Sequence, residues 1–427
     1  MFGQSGKNSQ IRLPFGFRDI FPVESGQRNA IREVIRSQFK SWGYGEVKTP
    51  VMEYTENISI GVGGGWKEKL INFIDIDGSL ISLRADMTIP IARLAGMRLR
   101  KDQLPARFSY FSDVFRQAGS QAGDKRVFSQ AGLEFIGSSL RMQADAEIMI
   151  ILTRVLKRLG LEESRIAVGH IGFIDGLFRW LGLDSPASLE FKKNIIEKDF
   201  VRIDDLLKGC DSARAGIFKR LIRPGNDLES ISGMVSDIGQ GQVLEAFEYL
   251  EGLYRILEEQ GLGKYLVFDF SIIRDFDYYT GLLFEVYCRG MTGMIGSGGR
   301  YDSLIKKFGS DMPATGFALD IDVLHDALGE KDISDEKKIM LGCRRPCGGA
   351  GVLMGLADDI RKKGIDVEIL FDRVDDMTML AREKGCRLLV MASGDVTGFS
   401  ITDTRSGKSG TADRAGLMGE VDKWIKD

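Results

Sequence analysis

Between Glu24 and Tyr44 the apolar residues Ile31, Val34, Ile35, Phe39 and Trp42 recur at helical spacing, and Gly43 and Gly45 close the run. That pattern predicts an amphipathic helix. Glu46 to Glu53 reads as a strand, and because Pro50 has no N–H to donate, the strand is expected at an edge or beside an interface. After the glycine-rich Gly61 to Gly65, the segments Ile71 to Ile76 and Leu80 to Arg84 flank Asp77-Gly78. This is a favoured tight-turn pair, so an antiparallel hairpin is expected there.

The alternation is most informative from Val127 to Gly137. Phe128, Gln130, Gly132, Glu134 and Ile136 share one strand face, and Ser129, Ala131, Leu133 and Phe135 the other. Gln130 and Glu134 therefore point the same way, as they would on a solvent-facing strand or around a polar ligand. Met142 to Leu159 predicts a strongly apolar helix and Arg165 to His170 a short strand.

From about Asp175 to Gly261 the grammar changes to short helices, at Leu189 to Ile196, Ile203 to Leu207, Ala213 to Leu221 and Val243 to Glu259, which predicts an inserted helical subdomain. Strands resume at Leu266 to Ile273 and Leu282 to Tyr287. The glycine-rich run Gly293 to Gly299 and renewed alternation over Thr315 to Leu319 follow. The resulting expectation is an α+β core over residues 12–328, an antiparallel sheet with helices outside it.

A charged linker, Gly329 to Lys338, separates this core from a second domain over residues 337–427. There the pattern reads strand Ile339 to Gly342, helix Gly351 to Lys363, strand Val367 to Phe371, helix Asp375 to Lys384 and strand Arg387 to Ala392. A hairpin around Ser406-Gly407 and helix Ala415 to Ile425 complete a small α/β unit.

Composition narrows the field without choosing a function. At 427 residues, with 43% hydrophobic and 28% charged residues, the chain is long enough for two to four domains and excludes disordered and collagen-like classes. A net charge of −3 carries no overall electrostatic footprint for nucleic acid or membrane, so a tRNA partner would need a local basic patch. The five cysteines are odd in number and scattered, as in a reducing cytoplasm. Cys343 and Cys347 are the one close pair; with only His170 and His325 as histidines, no metal site and no cofactor are expected. Met1 to Arg12 is polar, so neither a signal peptide nor a membrane anchor is expected there.

Several segments together carry a resemblance. They are Gly16-Phe17-Arg18-Asp19, Gly43 to Glu53, Leu83-Arg84-Ala85-Asp86-Met87-Thr88, Val114-Phe115-Arg116, Phe128-Ser129-Gln130-Ala131-Gly132-Leu133-Glu134, Arg274 to Gly281, Gly298-Gly299-Arg300-Tyr301-Asp302 and Pro313 to Ala318. In this order they resemble the histidyl-tRNA synthetases and their non-catalytic relatives, over nearly the whole chain. The resemblance implies a class II synthetase core, a large antiparallel sheet flanked by helices. It also implies a homodimer formed through the first helix and strand, and a C-terminal domain similar to the anticodon-binding domain.

It further implies a histidine pocket built from Asp86, Thr88, Gln130, Glu134, Tyr278, Tyr279 and Tyr301, with Arg274 aimed at the bound carboxylate and Arg116 in the same site, where Arg116 and Arg126 alone make a poor nucleotide clamp. Such a set suits the amino acid: an ammonium needs acceptors, and an imidazole needs Glu134 on one nitrogen and a tyrosine hydroxyl on the other.

The nucleotide machinery departs from the synthetase pattern. Phe115-Arg116-Gln117-Ala118 lacks the acid of Phe-Arg-x-Glu, the stretch Gly119 to Lys125 is small and poor in arginine, and Asp320-Ile321-Asp322-Val323 stands where Gly-Leu-Glu-Arg is the rule. Losing phosphate contacts while keeping amino-acid contacts suits a sensor. The version Leu83 to Thr88 is similar to the regulatory-subunit branch of ATP phosphoribosyltransferase. In that branch the chain makes no aminoacyl-tRNA, assembles with a short catalytic subunit for the first step of histidine biosynthesis, and takes L-histidine as feedback effector. The C-terminal domain keeps a divergent active synthetase as the alternative.

Overall fold

The structure is a computed structural model, and it describes residues 12–62, 68–117, 125–223, 225, 227–273, 278–329, 338–343, 350–371 and 375–426. The chain divides into two compact units. One comprises Met1–Arg18 with Ile31–Lys331, and the other Asp19–Ala30 with Asp332–Asp427. The linker expected over Gly329 to Lys338 falls mostly outside the described residues.

The first helix, α1 (Pro22–Ser41), buries Ile31, Ile35 and Phe39, the stripe its periodicity marks out. The strand expected over Glu46 to Glu53 is instead two short ones, β1 (Gly45–Glu46) and β2 (Met52–Tyr54), on different sheets. Pro50 lies in the gap, where Arg84 donates to the carbonyls of Thr49 and Pro50, so side-chain bonds replace a ladder. Helix α2 (Thr55–Gly61) leads to the hairpin of β3 (Asn72–Ile74) and β4 (Leu80–Leu83). Its turn has Gly78 at φ +84° and the Asp77 carboxylate accepting from the Ser79 amide. With β2 these form a three-stranded sheet ordered β2-β4-β3.

Helix α3 (Thr88–Arg98) is followed by the long antiparallel pair β5 (Ala106–Phe115) and β6 (Val127–Ile136) and then helix α4 (Arg141–Arg158), which packs on the sheet. After β7 (Arg165–His170) come the helices α5 (Ile171–Trp180), α6 (Ser185–Ile196), α7 (Phe200–Leu206), α8 (Ser212–Leu221), α9 (Leu228–Ile238) and α10 (Gly241–Glu259). Helices α5 and α9 escaped the periodicity reading. The side chain of Asp227 accepts from the Ser230 amide at the start of α9, a capping signal visible in the sequence. Phe178, Phe191 and Phe218 form the aromatic heart of this bundle.

The remaining strands are β8 (Leu266–Phe268), β9 (Leu282–Tyr287), β10 (Met294–Arg300) and β11 (Ala314–Asp320), followed by α11 (Ile321–Leu328). The large sheet is eight-stranded, ordered β1-β5-β6-β11-β10-β9-β7-β8. It is antiparallel through its centre, as expected, with β1 beside β5 and β7 beside β8 as parallel pairs at the two edges. The strand expected to run to Ile273 stops at Phe268, and the glycine-rich run is the interior strand β10. A Cβ at Gly298 would lie 2.3 Å from the Gly316 carbonyl oxygen, so close backbone approach explains the glycines there.

The second unit holds β12 (Lys338–Cys343), α12 (Ala350–Arg361), β13 (Asp366–Leu370), α13 (Met377–Glu383), β14 (Leu388–Ala392), β15 (Gly398–Asp403), β16 (Ser409–Asp413) and α14 (Leu417–Lys426). Its sheet is ordered β13-β12-β14-β15-β16, and Ile339, Leu341, Leu353, Ile360, Val390, Ile401 and Val421 form a core of its own. The close pair of cysteines cannot be followed, because Cys347 lies outside the described residues. Cys210, Cys288 and Cys386 are free thiols.

Candidate functional site

Strand pairing sets out the site in rows across the sheet. Glu134 on β6 stands opposite Gly316 on β11, Gly132 opposite Ala318, and Gln130 opposite Asp320. On the other flank of β6, Tyr110 of β5 is directly opposite Gly132; beyond β11, Ser297 of β10 pairs with Ala318 and Gly299 with Gly316. Side chains in register point to one face. The small residues Gly132, Gly316, Ala318, Ser297 and Gly299 thus leave a hollow in the middle of the sheet. It is a cavity of about 110 Å³.

Asp86, Thr88, Arg116, Gln130, Tyr278, Tyr279 and Tyr301 all line this cavity. Glu134 sits just beneath it, 1% exposed. Its two carboxylate oxygens are each held, Oε1 accepting from Thr88 Oγ1 at 3.0 Å and Oε2 from Tyr301 Oη at 2.6 Å. These bonds bring the first residue of α3 and the residue that follows β10 to a single carboxylate near the end of β6. The remaining residue of the expected set, Arg274, lies outside the described residues.

Asp86 precedes α3, where its carboxylate accepts from the Thr88 and Ile89 amides and from Tyr278 Oη at 3.4 Å. Free amides at a helix start favour a carboxylate there. Arg116 is anchored by a bond from Nε to the Ala85 carbonyl at 3.0 Å, with its guanidinium 5.3 Å from the Phe128 ring centre. The rings of Tyr278 and Tyr301 meet edge to face at 5.9 Å, closing the aromatic wall.

Burial dominates the electrostatics. It raises Glu134 to about 8, with the Tyr301 and Thr88 hydroxyls pulling down and the Asp86 charge adding a further upward push. Burial likewise raises Asp86 to about 6 against the downward pull of Arg116, the two α3 amides and Tyr278. Two desolvated carboxyl groups sharing one cavity are poised for a ligand that brings positive charge and N–H donors.

At the other end of the hollow Asp320 lines the cavity and caps α11, its carboxylate accepting from the Asp322 and Val323 amides at 2.8 and 3.1 Å. Val323, the residue in place of the synthetases' arginine, is therefore in the first turn of α11 behind an acid. Of the other departures, Gln117 is exposed and residues 118–124 are outside the described set.

Cavity residues that escaped the sequence reading include Tyr110 and Ser297. Ala106, Phe108, Tyr110 and Val114 alternate on one face of β5, a period-two signal partly masked by Phe111 and Phe115 on the opposite face. Ser297 was lost in the glycine run. Among the described residues no cluster of three or more His, Cys, Asp or Glu is placed to hold a metal ion.

Comparisons with known proteins bear on the fold and the family. The family model for histidyl-tRNA synthetase matches residues 16–324. The ATP phosphoribosyltransferase regulatory subunit of Moorella thermoacetica is 35% identical, covering 76% of this chain and 83% of its own. That of Symbiobacterium thermophilum is 33% identical over 88% of this chain and 95% of its own. A crystal structure of an ATP phosphoribosyltransferase regulatory subunit/histidyl-tRNA synthetase from Bacillus halodurans superimposes with a TM-score of 0.76 at 28% identity, covering 91% of this chain and 99% of that one. A Nostoc histidyl-tRNA synthetase shares the fold at a TM-score of 0.81 and 19% identity, covering 97% and 100%.

Proposed function

The chain belongs to the family of ATP phosphoribosyltransferase regulatory subunits, built on the histidyl-tRNA synthetase fold, and from that footing we propose that it is the non-catalytic, histidine-sensing chain of such an enzyme. Its work is to activate a short catalytic subunit in the first step of L-histidine biosynthesis and to relay feedback inhibition. The single observation that carries the reading is the cavity, with Asp86 and Gln130 in its lining, Glu134 buried beneath it, and tyrosines around it. A zwitterionic amino acid would place its ammonium on Asp86, Thr88 and Gln130 and a ring N–H on Glu134. Arg116 at the cavity wall and Arg274 are the groups for its carboxylate.

The phosphate end supports the absence of aminoacylation. Activating an amino acid with ATP requires fixed positive charge around the transferring phosphates. Here that end holds the Asp320 carboxylate, and Val323 supplies no cation. A triphosphate would meet repulsion where a synthetase supplies attraction. Histidine-dependent exchange of pyrophosphate into ATP should stay at background, and brisk exchange would restore the active-synthetase alternative.

The regulatory role needs histidine to bind two states of the assembly unequally, and by linkage the active state must weaken histidine binding by the same factor, typically about 1–3 kcal/mol. Mixing the chain with a short catalytic subunit should switch on phosphoribosyl transfer, and histidine should switch it off. If a Glu134→Gln chain left the complex equally histidine-sensitive, the inhibitory site would belong to the catalytic partner.

A second copy of the chain is the proposed cover for the apolar residues around the small sheet. Val51, Met52, Tyr54, Phe73, Ile74 and Leu80 are all exposed, whereas the apolar stripe of α1 is consumed within the chain. The dimer contact therefore centres on the strand side of the segment Glu24 to Glu53. No helix among the described residues is long and apolar enough to cross a membrane.

A further inference from the structure

We propose that Tyr249 of α10, in the helical insertion, is a positioning residue for the cavity: acting through Asp145 and Arg300, its hydroxyl sets Tyr301 and with it the Glu134 carboxyl. This rests on the reading of the cavity as a histidine site. Tyr249 is not itself part of the cavity lining. Its hydroxyl donates to Asp145 Oδ2 at 2.6 Å, and burial, reinforced by the charge of that carboxylate, holds its proton well past neutral pH. Asp145 is fully buried, so its charge depends on such donors. Arg300 supplies the others, from Nε to the same Oδ2 at 3.1 Å and from Nη2 to Oδ1 at 2.8 Å.

Arg300 carries the constraint to the residue beside it. Its Nη1 donates to Asp302 Oδ1 at 2.9 Å, an oxygen that also accepts from the Ala314 amide, and its carbonyl accepts from the Thr280 amide at 2.8 Å. The Asp302 amide in turn donates to Thr280 Oγ1 at 2.9 Å. Tyr301 is thus pinned on both sides, and its own amide donates to the Ala314 carbonyl at 2.8 Å. What this clasp fixes is the direction of the phenol, which ends 2.6 Å from Glu134 Oε2. Without the Tyr249 hydroxyl, Asp145 Oδ2 keeps only Arg300, the guanidinium recentres on it, and Tyr301 shifts with its neighbour. Helix α10 packs on α4, α5 and α9, so one hydroxyl ties the insertion to the cavity. By linkage, a hold on α10 that favours an occupied cavity is itself strengthened by occupancy.

The test is a double-mutant cycle read by calorimetry with L-histidine on the full-length protein, Tyr249→Phe, Tyr301→Phe and the double variant. Tyr249→Phe keeps the ring beside His170, at 5.6 Å between centres, and removes one oxygen. It should weaken histidine binding about three- to thirtyfold. In the Tyr301→Phe background, where the link to Glu134 is already cut, the same change should cost less than about twofold. An equal loss in both backgrounds, as an independent packing defect would give, overturns the assignment, and so does unchanged affinity in the single variant. Should a variant fold or bind too poorly for the cycle, hydrogen exchange on the natural protein decides. Histidine should slow exchange over α10 (Gly241–Glu259) more than over α8 (Ser212–Leu221) of the same insertion, and equal slowing or none refutes the tie. A natural protein that binds no histidine at all would instead sink the proposed function, whereas binding indifferent to the Tyr249 hydroxyl sinks only this inference.

Discussion

Glu134 has the most to lose from its position. In the unfolded chain its carboxyl titrates near its ordinary value of 4.5, and in the folded, ligand-free protein burial raises it to about 8. The folded state therefore holds a proton that the unfolded state releases between those values. Its contribution to stability is full at low pH and is lost as pH rises through about 8. Asp86 adds the same trend over a lower window, from 3.8 to about 6. Denaturant unfolding of the ligand-free protein should show stability declining by a few kcal/mol from about pH 5 to about pH 9. Glu134→Gln should flatten the upper part of that decline; a variant as steep as the parent would refute the buried-acid account. Gly316 is the complementary constraint. A Cβ there would lie 1.7 Å from Glu134 Oε2 and 2.4 Å from the Leu133 carbonyl oxygen. Gly316→Ala should cost about 1–3 kcal/mol or more and expel the Glu134 carboxylate. Gly355→Ala, which meets open space on a helix, should be neutral or mildly stabilising in the same melting experiment.

Among elements, α4 and β10 are fastened by one buried ion pair. Arg300 donates to both oxygens of Asp145, at 3.1 and 2.8 Å, and also to Asp302 and to the Arg141 carbonyl. Asp145 is fully buried and also accepts from Tyr249 of α10 at 2.6 Å. Three elements converge on one carboxylate, and the residue after Arg300 is Tyr301, which holds Glu134. Asp145→Ala leaves a buried guanidinium short of its main partner and should destabilise by about 3–5 kcal/mol. Because Tyr301 loses its neighbour's anchor, histidine binding should weaken as well. Denaturation and calorimetry on the one variant check both, and a loss of stability with untouched affinity would separate the ion pair from the site.

For the whole molecule, two compact units with separate cores predict unfolding that is not two-state. Scanning calorimetry should resolve two transitions, and histidine should raise only the one belonging to the unit with the cavity. At a ligand concentration of about a hundred times Kd the gain is about 2.7 kcal/mol. A single transition that shifts as a whole would show the units to be energetically fused. Light scattering should report a dimer, and replacing Ile74 and Phe73 by charged residues should yield monomers that still bind histidine.

What the sequence determined by itself is whatever depends on neighbours along the chain. The period of 3.6 marked α1 and α4, the alternation from Val127 to Ile136 marked β6 and placed Gln130 and Glu134 on one face, and Asp77-Gly78 marked the first hairpin. The motifs named Asp86, Thr88, Tyr278 and Tyr301 before any of them could be seen to share a cavity. What only the tertiary structure decided is everything that depends on register between distant strands. The glycines of β10 carry no side chains from which to read a period, so only the pairing with β9 and β11 shows them as an interior strand. Whether Gln130 and Glu134 faced water or a ligand turned on which residues stood opposite. Gly316, Ala318 and Gly132 leave a hollow there, and Tyr110 reaches into it because a strand pair 22 residues apart in sequence puts it across from a glycine.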